Sequence, residues 1–225
     1  MATGGMLAGQ AITAPSITTW LQNTTQTGSF YNSGNSTPIM TNTLVNCQKV
    51  EYTTDSVYIH STGVPSYVTG PYLDGNSSTA TNQNVIYRIA RTPQVENGPK
   101  RPTGAGRSGT FINGVSIFDY SDDVSWDPST NDLCGPLPGM NTCPGGPMTR
   151  FDLNRAAIPA EMKGFDCNKG HPAGGNYHHH QNPSAFKLDL VVLSTVCNLY
   201  DADGLYTIDS TQHSPLIGLA CDGYP

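Results

Sequence analysis

Apolar and polar positions alternate along this chain in short runs separated by turn residues. Val50 and Tyr52, then Val57-Tyr58-Ile59, flank the polar Thr53-Thr54-Asp55-Ser56, which predicts two strands with a short connection. Asn84-Val85-Ile86-Tyr87-Arg88-Ile89 alternates and predicts a third strand. Gly63-Val64-Pro65 and Gly70-Pro71 are turn signals, and Pro93 and Pro99 break the chain after the third strand. Gly109 to Phe118 reads as a hairpin, with Asn113-Gly114 between apolar alternations where a type I′ turn is favoured. Residues 121–150 carry Asp, Pro, Gly and two cysteines and are expected to form a long stapled loop. Ala156 to Lys163 is the one stretch that reads as a helix, and a short one. Phe186 to Val196 is the most hydrophobic segment, a strand or a short helix. Residues 1–44, rich in Thr, Ser, Asn and Gly without a sustained period, are expected to be an arm or loosely paired strands. Residues 45–225 are expected to form one domain. Frequent turns and short strands predict an all-β or β-dominated, sandwich- or barrel-like domain with long disulfide-stapled loops.

Composition supports strands and ordered loops. Only 12% of the 225 residues are charged, about half the usual share, and surface helices depend on such residues. With 36% hydrophobic residues and a net charge of −6, the chain is not expected to be disordered throughout. Mild acidity without a Lys/Arg run argues against a nucleic-acid partner. The basic residues Lys100, Arg101 and Arg107 lie among Pro and Gly, as in a solvated loop. No apolar run of about 18 residues is present, so no membrane-spanning helix is expected. The opening Met1 to Pro15 lacks the basic start and continuous apolar stretch of a signal peptide, so a secreted form would be a mature chain or a fragment.

Cysteine usage bears on the compartment. Cys47, Cys134, Cys143, Cys167, Cys197 and Cys221 contain no C-x-x-C pair, which argues against a zinc ribbon or a thioredoxin-type motif. An even count suits three disulfides, with Cys134 to Cys143 a local loop closed on itself and the remaining pairing open. Asn23, Asn35 and Asn76 head Asn-X-Ser/Thr sequons in polar stretches. Together these favour an oxidising, extracellular or cell-surface setting.

The densest chemical signal is Gly170-His171-Pro172-Ala173-Gly174-Gly175-Asn176-Tyr177-His178-His179-His180. On a strand, His178 and His180 share a face and His179 points away, the two Cα atoms being about 6.6 Å apart. One ion can bridge two imidazoles at that span. His171, returned by the Gly174-Gly175 turn, is the third candidate nitrogen and His213 a distant fourth. Asp166 and Asp222 are candidate ligands or acceptors that orient an imidazole. Such a nitrogen-rich set suits a divalent transition metal, Cu²⁺ or Zn²⁺ first. The other reading of the same residues is a hydrogen-bonded core network. Asp201-Ala202-Asp203-Gly204 lacks the downstream Glu of a Ca²⁺ loop and reads as a turn. Ser214 beside His213 precedes Pro215 and also reads as a turn start. No G-x-S-x-G, P-loop or G-x-G-x-x-G is present.

The stretch Phe165 to Pro172, then Gly175-Asn176-Tyr177-His178-His179-His180, then His213 to Pro225, resembles the YHYH domain. Gly63 to Tyr67, Gly70-Pro71 and Gly109 to Phe118 agree with it upstream, so the resemblance runs from about residue 45 to the C-terminus. The family's paired histidines match His178 and His180, whereas the tyrosine between them is His179 here. The resemblance implies a secreted or surface protein and supplies no defined reaction. In the family the closing Asp-Gly-Tyr-Pro runs on into a further segment, so the domain is expected to be truncated here or completed from elsewhere. Two functions follow as expectations. The first is an extracellular structural, matrix, surface or filament module with a histidine metal site, its partners other copies of itself or matrix components. The second is a secreted metal-dependent hydrolase or oxidase using Cu, Zn or Fe.

Overall fold

The computed structural model describes residues 13–99, 106–119, 125–135, 140–143, 157–183, 211 and 216–225. Its elements in chain order begin with α1 (Pro15–Thr18), β1 (Thr27–Phe30), β2 (Ile39–Leu44), β3 (Cys47–Tyr52), β4 (Ser56–Ser61) and β5 (Val85–Ala90). Then come β6 (Arg107–Phe111), β7 (Ser116–Phe118), β8 (Ser125–Asp127), β9 (Asp132–Cys134) and α2 (Ala157–Glu161), with a 3-10 turn at Met162–Gly164. The last are β10 (His171–Ala173), β11 (Asn176–His179) and β12 (Gly218–Ala220). The fold is β-dominated, as the alternation predicts. The strands read at 50–59 and 84–89 are β3, β4 and β5, a sheet in that order.

A five-stranded sheet in the order β10-β11-β7-β6-β12 forms the centre. Strand alternation gives it two different faces. Leu219, on β12, joins Val57, Ile59, Tyr87 and Ile89 of the three-stranded sheet in one buried cluster, and the Tyr87 hydroxyl lies 2.9 Å from Ser116 Oγ. On the opposite face Phe111 and Tyr177 pack with Val45, Val64 and Tyr72. The segment between β4 and β5 supplies much of that second layer, including Tyr67, Gly70 and Tyr72.

Residues 13–44 lie against this body. Trp20 is buried within the first cluster, Leu21 N–H donates to Ile112 O and Tyr31 N–H to Thr69 O, and β1 and β2 pair as a hairpin. Gly28 fits closely here, because a Cβ on it would stand 2.8 Å from Val64 Cγ1.

Several expectations are corrected. In the β6–β7 hairpin only Gly114 of the Asn113-Gly114 pair is left-handed. Gly114 N–H returns to Phe111 O, and Phe111 N–H donates to Val115 O, so the connection is a three-residue loop closed by an αL glycine, not a type I′ turn. The stretch 121–150 holds the β8–β9 hairpin, turned by Asp127 accepting from Ser129 N–H and Oγ–H, and is not structureless. Cys134 and Cys143 do form a disulfide, and Cys167 is disulfide-bonded too. Cys47 and Cys221 are free thiols, so the three-disulfide framework does not form. Cys47 is buried under the β6–β7 turn, whereas Cys221 is exposed. At two of the three sequons the asparagine side chain is hydrogen-bonded to the backbone. Asn23 Nδ2–H donates to Gln26 O and Val45 O, and Asn76 Nδ2–H to Pro172 O; Asn35 alone of the three is fully exposed. Cys197, His213, Ser214, Asp201, Asp203 and the Phe186–Val196 stretch lie outside the described residues.

Candidate metal centre

The cluster is built by a hairpin. Gly174 and Gly175 are both left-handed, at φ 57° and 86°, the conformation that a two-residue hairpin turn requires. That turn sets the register, placing His171 of β10 directly opposite His178 of β11. Residues so opposed share a face, so His171, His178 and, two positions on, His180 project together. Their Nε2 atoms converge, His171 to His178 at 3.0 Å and His178 to His180 at 3.2 Å.

The opposite edges of the rings are anchored. His178 Nδ1–H donates to Asn176 O at 2.9 Å, and His180 Nδ1–H to Asp119 O at 2.5 Å. Each anchor fixes the tautomer and leaves an Nε2 lone pair aimed into the cluster. Burial, with the neighbouring His171, pushes the His178 imidazole down to about 3, which keeps it a neutral donor. Phe118 stacks on His178 at 3.9 Å between centroids, and Phe165 meets His171 edge-on at 4.9 Å. The nitrogens therefore sit in an aromatic wall.

A fourth donor was not foreseen. Glu161, at the end of α2, holds Oε2 at 3.2 Å from both His171 Nε2 and His180 Nε2. That oxygen is buried and makes no well-formed hydrogen bond. The two observations agree if it faces lone pairs, as the His180 anchor requires. Burial raises the Glu161 carboxyl, whereas hydrogen bonds and charge from His171 and His180, when those rings carry protons toward it, bring it down to about 2. The available signal was its position as the single acidic residue of the one predicted helix.

The other predicted ligands are elsewhere. Asp166 is not a ligand. It is buried behind β11, accepting from Gly70 N–H, Asn168 N–H, Gly170 N–H and the Tyr177 hydroxyl. Burial pushes its carboxyl up to about 6 against those donors. Tyr177 and His179 occupy the face opposite the cluster, as the alternation predicts. His179 Nδ1–H donates to Lys169 O and its Nε2 accepts from Tyr67. Asp222 is exposed, accepts from Tyr224 N–H and is not among the converging groups. His213 lies outside the described residues.

Neighbouring nitrogens of the three imidazoles lie 3.0 and 3.2 Å apart, and Glu161 Oε2 lies 3.2 Å from two of them. A tetrahedral Zn²⁺ with bonds of about 2.0–2.1 Å separates its ligand atoms by about 3.3 Å. The His171, His178 and His180 ligand atoms all lie within 4.8 Å of one another. Without a cation or added protons, several lone pairs and a carboxylate would face one another inside a buried site, which is unfavourable.

The sequence model of the family described as YHYH protein matches residues 86–225. The match takes in more than half of the chain, including all three converging histidines and Glu161, and the chain belongs to that family. No curated protein and no solved structure matches it.

Proposed function

We propose that this YHYH-family protein binds one divalent transition-metal ion through His171, His178, His180 and Glu161, and that the ion serves chiefly to hold the domain together. The observation that carries the reading is the convergence of three imidazole nitrogens, two of them on rings anchored through Nδ1, beside a buried carboxylate oxygen with no hydrogen-bond partner. Three neutral imidazoles and one carboxylate leave a divalent ion with a net charge of +1. The all-N/O donor set suits Zn²⁺ or Cu²⁺. Four protein donors would fill the shell of a four-coordinate ion, as in structural sites. Bound there, the ion links α2 to the β10–β11 hairpin.

The low-charge, strand-rich chain with its disulfides and exposed Asn35 sequon fits an extracellular or cell-surface matrix module. The edge strands β10 and β12 offer pairing surfaces to further copies of the chain. A second reading, a metal-dependent hydrolase or oxidase, is favoured by one observation. A groove of about 760 Å³, lined by Phe118, Asp119, Gln181 and β12, reaches His180.

Elemental analysis of untagged, extensively desalted protein tests the proposal, with the His178→Ala/His180→Ala double variant alongside. One equivalent of zinc or copper, lost in the variant, is the expected result. No metal in either sample, and none taken up on addition, would return the cluster to a hydrogen-bonded core. Among metal-loaded samples, a water that exchanges at the ion would move the assignment to the catalytic reading.

A further inference from the structure

The three histidines are not anchored alike. His178 and His180 give Nδ1–H to backbone carbonyls, whereas the polar contacts of His171 among the described residues all use Nε2. A metal-bound imidazole needs an acceptor on its other nitrogen, since that hydrogen bond sets the tautomer and raises ligand basicity. The structure brings one group to the right place. Behind His171, at Gly164, a Cβ built on the glycine would lie 3.5 Å from His171 Nδ1 and 2.7 Å from Asp74 Oδ2. The carboxylate and the ring nitrogen thus border one small gap that the glycine keeps open. The loop carrying Asp74 is tied to both sides of that gap. Leu73 N–H donates to Lys163 O, and Asn76 Nδ2–H donates to Pro172 O, next to His171. Asp74 Oδ1 is used locally, accepting Asn76 N–H, which leaves Oδ2 facing the gap.

We infer that Asp74 is the positioning residue for His171, accepting its Nδ1–H directly or through one water and so completing the anchoring of all three imidazoles. This rests on the proposed metal site and extends it to a carboxylate far upstream in sequence. Gly164 belongs to the same device, because any side chain there would displace the carboxylate. Asp74 is itself exposed, so its removal leaves the core untouched.

The test uses Asp74→Asn, which keeps the local acceptor for Asn76 N–H, and Gly164→Ala, which retains the Asp74 side chain but moves its carboxylate out of the gap. Gly164 is not left-handed, so alanine is permitted by the backbone. Zn²⁺ dissociation constants are read by competition with a chromophoric chelator, and Co²⁺ is titrated to record its visible ligand-field bands. Both variants are expected to weaken Zn²⁺ by about tenfold or more, to shift the Co²⁺ bands, and to leave the metal-free melting temperature unchanged. Zn²⁺ affinity within twofold of wild type, with an unchanged Co²⁺ spectrum in Asp74→Asn, would overturn the assignment. A wild-type protein that binds neither ion would instead overturn the metal site itself, and the wild-type titration separates the two failures.

Discussion

Removing the ion should destabilise the protein by an amount that can be bounded in advance. The proposed donors come from α2 and from a β-hairpin at the edge of the central sheet, so an ion bound there would cross-link the two. Preferential binding to the folded state contributes RT ln(1 + [M]/Kd), about 4 kcal/mol when free metal is a thousand times the dissociation constant. For a chain of this size each kcal/mol moves the melting temperature by about 2–4 °C. Chelation is therefore expected to lower it by about 8–16 °C. Differential scanning calorimetry of wild type and of His178→Ala/His180→Ala, each with saturating Zn²⁺ or excess chelator, measures this directly. The informative quantity is the metal-dependent shift within each protein, because truncating two buried rings also changes the baseline. Wild type should show the full shift and the variant none. Glu161→Gln, which keeps the three imidazoles, should show a reduced shift, by about 1.4 kcal/mol for each tenfold loss of affinity. An equal shift in wild type and double variant would refute the reasoning, because the ion would then be held elsewhere. So would the absence of any shift in wild type.

Three further outcomes are expected. Gly170→Ala places a Cβ 2.5 Å from the Tyr177 ring and 2.6 Å from His179 Cε1, both fully buried, and should destabilise by about 1–3 kcal/mol in urea titration; an unchanged midpoint would mean the ring pair is free to move. Burial pushes the His179 imidazole down to about 3, so its contribution is complete above its ordinary value of 6.5 and is lost as pH falls toward 3. Metal-free wild type should accordingly lose about 3 kcal/mol more than His179→Gln between pH 6.5 and 4; parallel pH profiles would exclude this. Burial raises the Cys47 thiol to about 12, so a thiol reagent followed by peptide mapping should label Cys221 in the folded protein and Cys47 only after unfolding.

Much of this site was legible because strand chemistry is local. A period of two decides that His178 and His180 agree in direction and His179 does not, and two adjacent glycines decide that the chain doubles back. His171 is then delivered opposite His178 by register alone. The strands at Val50–Ile59 and Asn84–Ile89 were legible for the same reason. What could not be read depends on packing between segments far apart in sequence. Asp166 and Glu161 are both carboxylates a few residues before His171, and nothing in their spacing distinguishes them. Their roles separate only because the chain turns between them. One is left behind β11 under Tyr177 with three backbone N–H groups on it, and the other is carried by α2 to the front. Cysteine count misled in the same way, since Cys47 and Cys221 are even in number yet one is buried beneath a turn and the other is on the surface.

The Tyr-His-His-His strand is best understood as two interleaved sets. Tyr177 and His179 point inward, where Asp166, Lys169 O and Tyr67 satisfy them. His178 and His180 point to the proposed ion site. The inward pair fixes the strand against the core, and the register so fixed sets the separation of the outward pair. This explains why a histidine can stand at the position where the family has a tyrosine. Position 179 needs a flat, buried ring with a polar edge, and imidazole meets that need by pairing with the Tyr67 hydroxyl at 2.7 Å. On the proposed metal reading, positions 178 and 180 have no such latitude, because each uses one nitrogen for a backbone carbonyl and a second for the ion. Tyrosine at either would supply a single oxygen and leave Asn176 O or Asp119 O without its donor.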